Sequence, residues 1–147
     1  VGPNTVTLTC GGFVDSGTVL VDVVIAGASS STQTIRGLNF DVTYDPSRLS
    51  FVSATNPAGG PFSPSALLAA TAVSNPTPRA VVSIQQVFSD PSVDIAPGQQ
   101  LVALKLTFSR VPDVTFAAAD LKFDLSASET TPTTTLAYVS SLFIGYQ

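Results

Sequence analysis

The sequence predicts an all-β sandwich or barrel with little or no helix. Three observations predict it. Apolar residues recur with period two along much of the chain, the pattern of strands buried on one face. Eleven prolines and ten glycines cluster between those apolar runs, where they punctuate the backbone into turns. No interval between the turn clusters accommodates a helix of ordinary length, and many short strands at regular spacing imply a sandwich or barrel.

The elements follow in order. A strand is expected at Val6–Cys10. In the next run Val19, Val21, Val23 and Ile25 share a face. Leu38, Phe40, Val42 and Tyr44 share another, against Asn39, Asp41 and Thr43. Phe51–Ala54 is a short strand. Leu67–Val73 fits a strand or a single helical turn, because its Ala and Leu content favours helix while the run is short and follows Ser-Pro. Ala80–Phe88 is a strand. Leu101–Phe108 alternates most cleanly, with Val102, Leu104, Leu106 and Phe108 facing one way and Ala103, Lys105 and Thr107 the other. Leu121, Phe123 and Leu125 repeat the pattern, and strands at Thr134–Val139 and Leu142–Tyr146 end the chain. Turns fall at Asn56-Pro57-Ala58-Gly59-Gly60-Pro61, Asn75-Pro76-Thr77-Pro78, Asp90-Pro91 and Pro97-Gly98. Phe13, Phe40, Phe51, Phe88, Phe108, Phe116, Phe123 and Phe143 lie in or beside periodic runs and are expected in the core. Tyr44 and Tyr138 alternate with core residues, whereas Tyr146 is expected at the surface.

Length and composition bound the function. A chain of 147 residues corresponds to one domain, expected to span 1–147. It is 44% hydrophobic and 11% charged, which excludes disorder. Histidine, methionine and tryptophan are absent. Without histidine there is no Ser-His or Cys-His catalytic pair, and no Gly-rich phosphate loop occurs. Nine aspartates and Glu129 leave a carboxylate pair conceivable, but most lie on strand faces or at turns. The expectation is a protein that is not an enzyme and uses no cofactor. A net charge of −4 argues against a nucleic-acid partner, which needs a basic stripe. No run of 18 apolar residues occurs, so no membrane insertion is expected. The chain begins at Val1 without a basic and apolar leader, which fits a processed protein or a trimmed fragment equally. Few lysines and abundant Ser, Thr, Asn and Gly point to an extracellular or cell-surface location.

Several residues invite a specific reading. Cys10, the sole cysteine, cannot form a disulfide within the chain. It reads as a small buried apolar residue or as one half of an intermolecular disulfide. Asp90 and Asp94, in Asp90-Pro91-Ser92-Val93-Asp94, offer oxygen ligands suited to calcium; the competing reading is side-chain capping of a turn before Pro91. Ser128–Thr135 reads SETTPTTT, the composition of O-glycosylated stalks, with Thr130, Thr131, Thr133, Thr134 and Thr135 as acceptors. A solvated hairpin loop explains the same composition. The strand Val6, Thr7, Leu8, Thr9 and Cys10 could leave its own sheet and complete a neighbouring subunit, building a filament by β-augmentation. Otherwise it pairs within its own sandwich. The absence of tryptophan and the expected burial of the phenylalanines argue against a flat aromatic strip for polysaccharide.

Residues 37–54 read GLNFDVTYDPSRLSFVSA. This resembles the signature of cohesin modules: a Gly-led strand, an apolar-x-apolar run into Tyr-Asp-Pro, then a leucine and a second strand. Asp45-Pro46 would turn the chain, and Leu49 would return it to the core. Gly17-Thr18-Val19-Leu20-Val21-Asp22-Val23 is similar to an earlier strand of that family. Pro97-Gly98 followed by Leu101–Phe108 is similar to a later one. The resemblance covers residues 15–125. It departs from the family in the Gly/Pro loop at 56–64, in the Thr-rich hairpin and at the termini. The resemblance implies a jelly-roll-like antiparallel β-sandwich of about nine strands, akin to family-3-type carbohydrate-binding modules. It implies a module that binds a protein partner, in that family a dockerin, a small calcium-loaded helical module. The shared motif shapes the fold and not the recognition surface, so no dockerin-contact residue carries over. Copies of the same chain assembling into a filament or layer, and a polysaccharide ligand, are the competing expectations.

Overall fold

The computed structural model describes residues 4–15, 17–27, 31–75, 77–111, 122–124 and 135–146. Among them lie ten strands: β1 (Thr5–Asp15), β2 (Thr18–Ala26), β3 (Gln33–Tyr44), β4 (Leu49–Thr55), β5 (Leu67–Val73), β6 (Arg79–Gln85), β7 (Val93–Ile95), β8 (Gln100–Arg110), β9 (Lys122–Asp124) and β10 (Thr135–Tyr146). No helix occurs among the described residues. One sheet has the order β1-β2-β8-β4, the other β5-β6-β3-β10-β9, with β7 also paired to β3. Neighbours are antiparallel except for the short β9–β10 pair, which is parallel.

The alternating residues of both sheets meet between them. Val19, Val21, Val23 and Ile25 of β2 pack with Leu104, Leu106 and Phe108 of β8, facing Leu38, Phe40 and Val42 of β3 and Val82 and Ile84 of β6. Phe108 is fully buried. Its ring meets Tyr44 edge-on at 5.5 Å and Phe51 at 5.6 Å, joining the two sheets.

The expected Asp45-Pro46 turn forms as the side chains dictate. The Asp45 carboxylate accepts from the Ser47 amide at 3.0 Å and the Ser47 hydroxyl at 2.6 Å. Leu49 donates its amide to the Asp45 carbonyl at 3.0 Å and drops into the core. Pro97-Gly98 makes a turn closed by the Gln99 amide on the Ala96 carbonyl at 3.0 Å. Gly98 takes φ +76°, the left-handed conformation a type II turn requires at its third residue.

The same segment passes over Gly27, whose amide donates to the Gln99 carbonyl at 2.8 Å. A Cβ on Gly27 would lie 2.1 Å from the Ala96 carbonyl oxygen. Gly27→Ala therefore has to displace a backbone strap and is expected to destabilise by about 1–3 kcal/mol. A lowered urea midpoint with an unchanged slope checks it.

Structure and sequence reading part at definite places. Leu67–Val73 is a strand and not a helical turn, because β6 offers a regular partner along its whole length. The described part of the Thr134–Val139 run, from Thr135, and the Leu142–Tyr146 run belong to one strand, β10, interrupted by an extra residue at Ser140. Strand β6 stops at Gln85, short of Phe88. The three-residue β7 has too little alternation to be legible, and forms because β3 extends past the end of β6. In β8 the phase breaks at a bulge: Val23 pairs Leu104 but Val24 pairs Val102. Ala103 is consequently buried, and Val102 is only partly so.

Candidate functional site

The outer surfaces of the two sheets differ in chemistry. On the four-stranded sheet the registers align Thr9, Asp22, Lys105 and Thr55 in one row, and Thr18, Ser109 and Ser50 in another. Lys105 bonds Asp22 at 2.9 Å. The rows between and beside them add the partly exposed Leu20 and Val24 of β2, so this surface mixes hydroxyl and aliphatic side chains, with Val52 exposed at a bulge.

The other sheet presents β5, β6, β3 and β10 as an in-register grid. Gly145, Gly37, Gln85 and Leu67 form the first row. Phe143, Asn39, Ser83 and Ala69 form the second, and Ser141, Asp41, Val81 and Thr71 the third. Three rungs at about 4.8 Å and rows about 7 Å apart give a surface about 15 Å wide. Leu67 and Phe143 are each 64% exposed and Val81 37%. The charges within these rows and at Arg79 cancel locally, since Arg79 Nε lies 3.5 Å from Asp41 Oδ2. Arg79 also donates to the carbonyls of Asn75 and Thr77 at 2.9 and 3.3 Å. The result is a broad surface, apolar and neutral-polar.

Gly37 makes this close-knit end possible. A Cβ there would approach the Ile84 carbonyl oxygen to 2.8 Å, so the glycine that leads the GLNF motif lets β3 and β6 run close together. Beside it, Gly145 pairs Gly37 while Tyr146 pairs Ile35, leaving Arg36 as the extra residue of a bulge. The bulge re-aims the side chain. The Arg36 guanidinium donates to the Val87 carbonyl at 2.7 Å, the Asp90 carbonyl at 3.2 Å and the Ser92 hydroxyl at 3.0 Å. Buried Gln86 completes the brace, accepting from the Ser63 amide at 3.0 Å and donating to the Pro91 carbonyl at 2.8 Å. A turn closed by the Asp90 amide on the Val87 carbonyl leaves Phe88 fully exposed. Arg36, Asn39, Gln85, Phe143 and Tyr146 also line a shallow depression of about 280 Å3.

Arg36→Ala removes three bonds from a charged donor, each worth about 1.5–3 kcal/mol at most. We expect residues 87–92 to lose amide-exchange protection while the strands keep theirs, measured by hydrogen exchange with mass spectrometry.

No protein-family model and no curated protein sequence matches the chain. Solved structures do. One is the sixth cohesin of scaffoldin B from Acetivibrio cellulolyticus, in complex with a mutant Cel5 dockerin. It shares 18% identity at a TM-score of 0.54, covering 78% of this chain and 75% of that one. This chain has a cohesin-like fold. The CaDoc0917–CaCohA2 complex is similar at 14% identity and a TM-score of 0.53, covering 77% and 75%.

The cohesin-like sandwich disposes the residues singled out in the sequence as follows. Strand β1, which includes Val6–Cys10, pairs with β2 of its own sandwich, with Val6 and Leu8 buried. Asp94 accepts from the Thr34 hydroxyl at 2.7 Å, and Asp90 accepts from the Ser65 hydroxyl. Among the described residues no three Asp, Glu or Cys side chains converge as a metal site would require. Thr130, Thr131, Thr133 and Thr134 lie outside the described residues, and Thr135 opens β10. Phe13, Phe116, Phe123, Tyr138 and Cys10 have side chains outside the description.

Two aromatic expectations are corrected. Phe88 and Phe143 are exposed, not core. Phe88 lies beyond the end of β6, and Phe143 takes the outward phase of β10 opposite Asn39. Phe62, in the Gly/Pro loop, is buried instead. The face itself was not foreseen. Its signal was the outward phase of β5 and β6, where Leu67 and Val81 stand in place of the usual charged residues.

Proposed function

We propose that this chain is a non-catalytic protein-docking module, and that the β5-β6-β3-β10 face receives the partner. The observation that carries the reading is the contrast between the two sheets. The first has Ser and Thr rows with Leu20 and Val24 only partly exposed and Val52 at a bulge; the other bears exposed Leu67, Val81 and Phe143 on a grid whose charges are already paired. Protein interfaces place such desolvatable apolar and aromatic residues at their centre with a polar rim. The width of about 15 Å accepts one helix of about 10–12 Å diameter lying on the sheet. The partner chemistry that fits is a helical module with an apolar stripe, and a dockerin, a small calcium-loaded helical module, is the candidate. The relation to a cohesin solved with its dockerin supports that choice. The setting is extracellular or at the cell surface, in keeping with two lysines in the whole chain and abundant hydroxyl side chains.

The test is calorimetric titration of the intact chain with calcium-loaded dockerin modules, with insoluble cellulose as a parallel matrix. Saturable one-to-one binding to a dockerin is expected. Silence across a broad dockerin panel, or retention on cellulose alone, overturns the proposal.

A further inference from the structure

Each sheet ends in two edge strands, and proteins usually blunt such edges to prevent strand addition. Among the described residues β1, β4 and β9 are blunted, and the stretch of β10 left open beyond β9 is broken by register shifts at Val139/Ser141 and Gly145/Tyr146. Strand β1 carries bulges between Cys10 and Gly12 and between Phe13 and Asp15. Strand β4 carries one between Phe51 and Ser53. Strand β9 is three residues long and includes Lys122 and Asp124.

Strand β5 has none of these devices. Its seven residues, LLAATAV, hold no charge, no proline and no glycine. Its register with β6 runs unbroken from Leu67↔Gln85 to Val73↔Arg79. Among the described residues no strand pairs with its other side. A row of backbone donors and acceptors on a flat, uncharged strand recognises one thing, which is another extended strand.

We propose that β5 pairs antiparallel with β5 of a second copy of this chain, joining two six-stranded sheets across a two-fold axis. The sequence of the strand selects a copy of itself. With the axis at Ala70, Leu67 faces Val73, Leu68 faces Ala72 and Ala69 faces Thr71. Large side chains meet branched or small ones, outward residues meet outward residues, and no like charges oppose. An isologous contact of this kind closes on itself, so it yields a dimer and not a fibre. Pro64 precedes the strand and limits the ladder on that side. The pairing is independent of the partner proposed for the open face, which it leaves uncovered and extends sideways.

Sedimentation velocity on the intact chain over a wide concentration range tests this. The expected species at high concentration has twice the 15.1 kDa chain mass. Ala69→Lys combined with Thr71→Lys sets lysines opposite lysines across the axis, and we expect dimerisation to weaken at least tenfold. Thr55→Lys, on the bulged β4 edge, should leave it unchanged. Ala70→Cys provides a test that does not depend on weakening the protein. Antiparallel partners lie about 4.5–5.5 Å apart at Cα, within disulfide reach. Mild oxidation should therefore yield a dimer whose linking peptide, by mass spectrometry, joins position 70 to position 70. A chain that stays monomeric throughout, a dimer indifferent to the lysine pair, or the lack of a 70–70 link overturns the proposal.

Discussion

Phe143→Ala is expected to weaken binding of a helical protein partner by about 30-fold or more, the loss of about 2 kcal/mol that marks an interface hot spot. Phe143 is 64% exposed on β10 and sits opposite Asn39 in the middle row of the open face, on its outermost strand. It contributes little to the core, so the melting temperature should barely move. Val52→Ala is the matched control. Val52 is 56% exposed, but it is the extra residue of a bulge on the opposite sheet, among Ser50 and Ser53. Titration of both variants with the same dockerin module separates a face effect from a general surface effect. Equal affinities for the two variants would remove the open face from the proposed function while leaving the fold untouched.

Phe108→Ala is expected to have the largest effect on stability, about 3–5 kcal/mol. Phe108 is completely buried, and its ring holds Tyr44 from one sheet and Phe51 from the other at 5.5 and 5.6 Å. Truncation leaves a cavity between the layers that neither neighbour can fill without leaving its own strand. For a chain of this size the melting temperature should fall by about 2–4 °C per kcal/mol, so roughly 6–20 °C in all. Differential scanning calorimetry measures it. A fall of under 2 °C would show that the two sheets are not joined through this ring.

The two predictions rest on residues of one type with opposite fates, and the contrast marks how far sequence alone reaches. Phe40 and Phe108 read as core because each occupies a fixed phase of a long alternating run, and both are buried. Phe143 also sits in an alternating run, but in its outward phase. Phe88 lies past the point where β6 stops. The stop is imposed by groups distant in sequence: Arg36, bulged out of β3, and Gln86, held by Ser63 and Pro91. Alternation cannot report it, because Ser63 and Arg36 lie 23 and 51 positions from the groups they bond, and only Pro91 is near in sequence.

Bulges explain most of the remaining differences. The phase of Leu101–Phe108 is correct from Leu104 onward and fails before it, since Ala103 is an extra residue. The same device at Arg36 lets Ile35 and Leu38 both reach the core, three positions apart on one strand. A bulge depends on the pairing of two strands, and no single strand encodes it.

The sequence by itself determined the all-β class, the position of most strands, the Asp45-Pro46 and Pro97-Gly98 turns and the resemblance to cohesins. These are local properties: side-chain period, proline φ, carboxylate capping and the freedom of glycine. Tertiary structure decided which face of which sheet is left open, which edge is unguarded and which aromatics reach solvent. Those features exist only once β3 has been flanked by β6, β7 and β10, because a surface is defined by what fails to cover it.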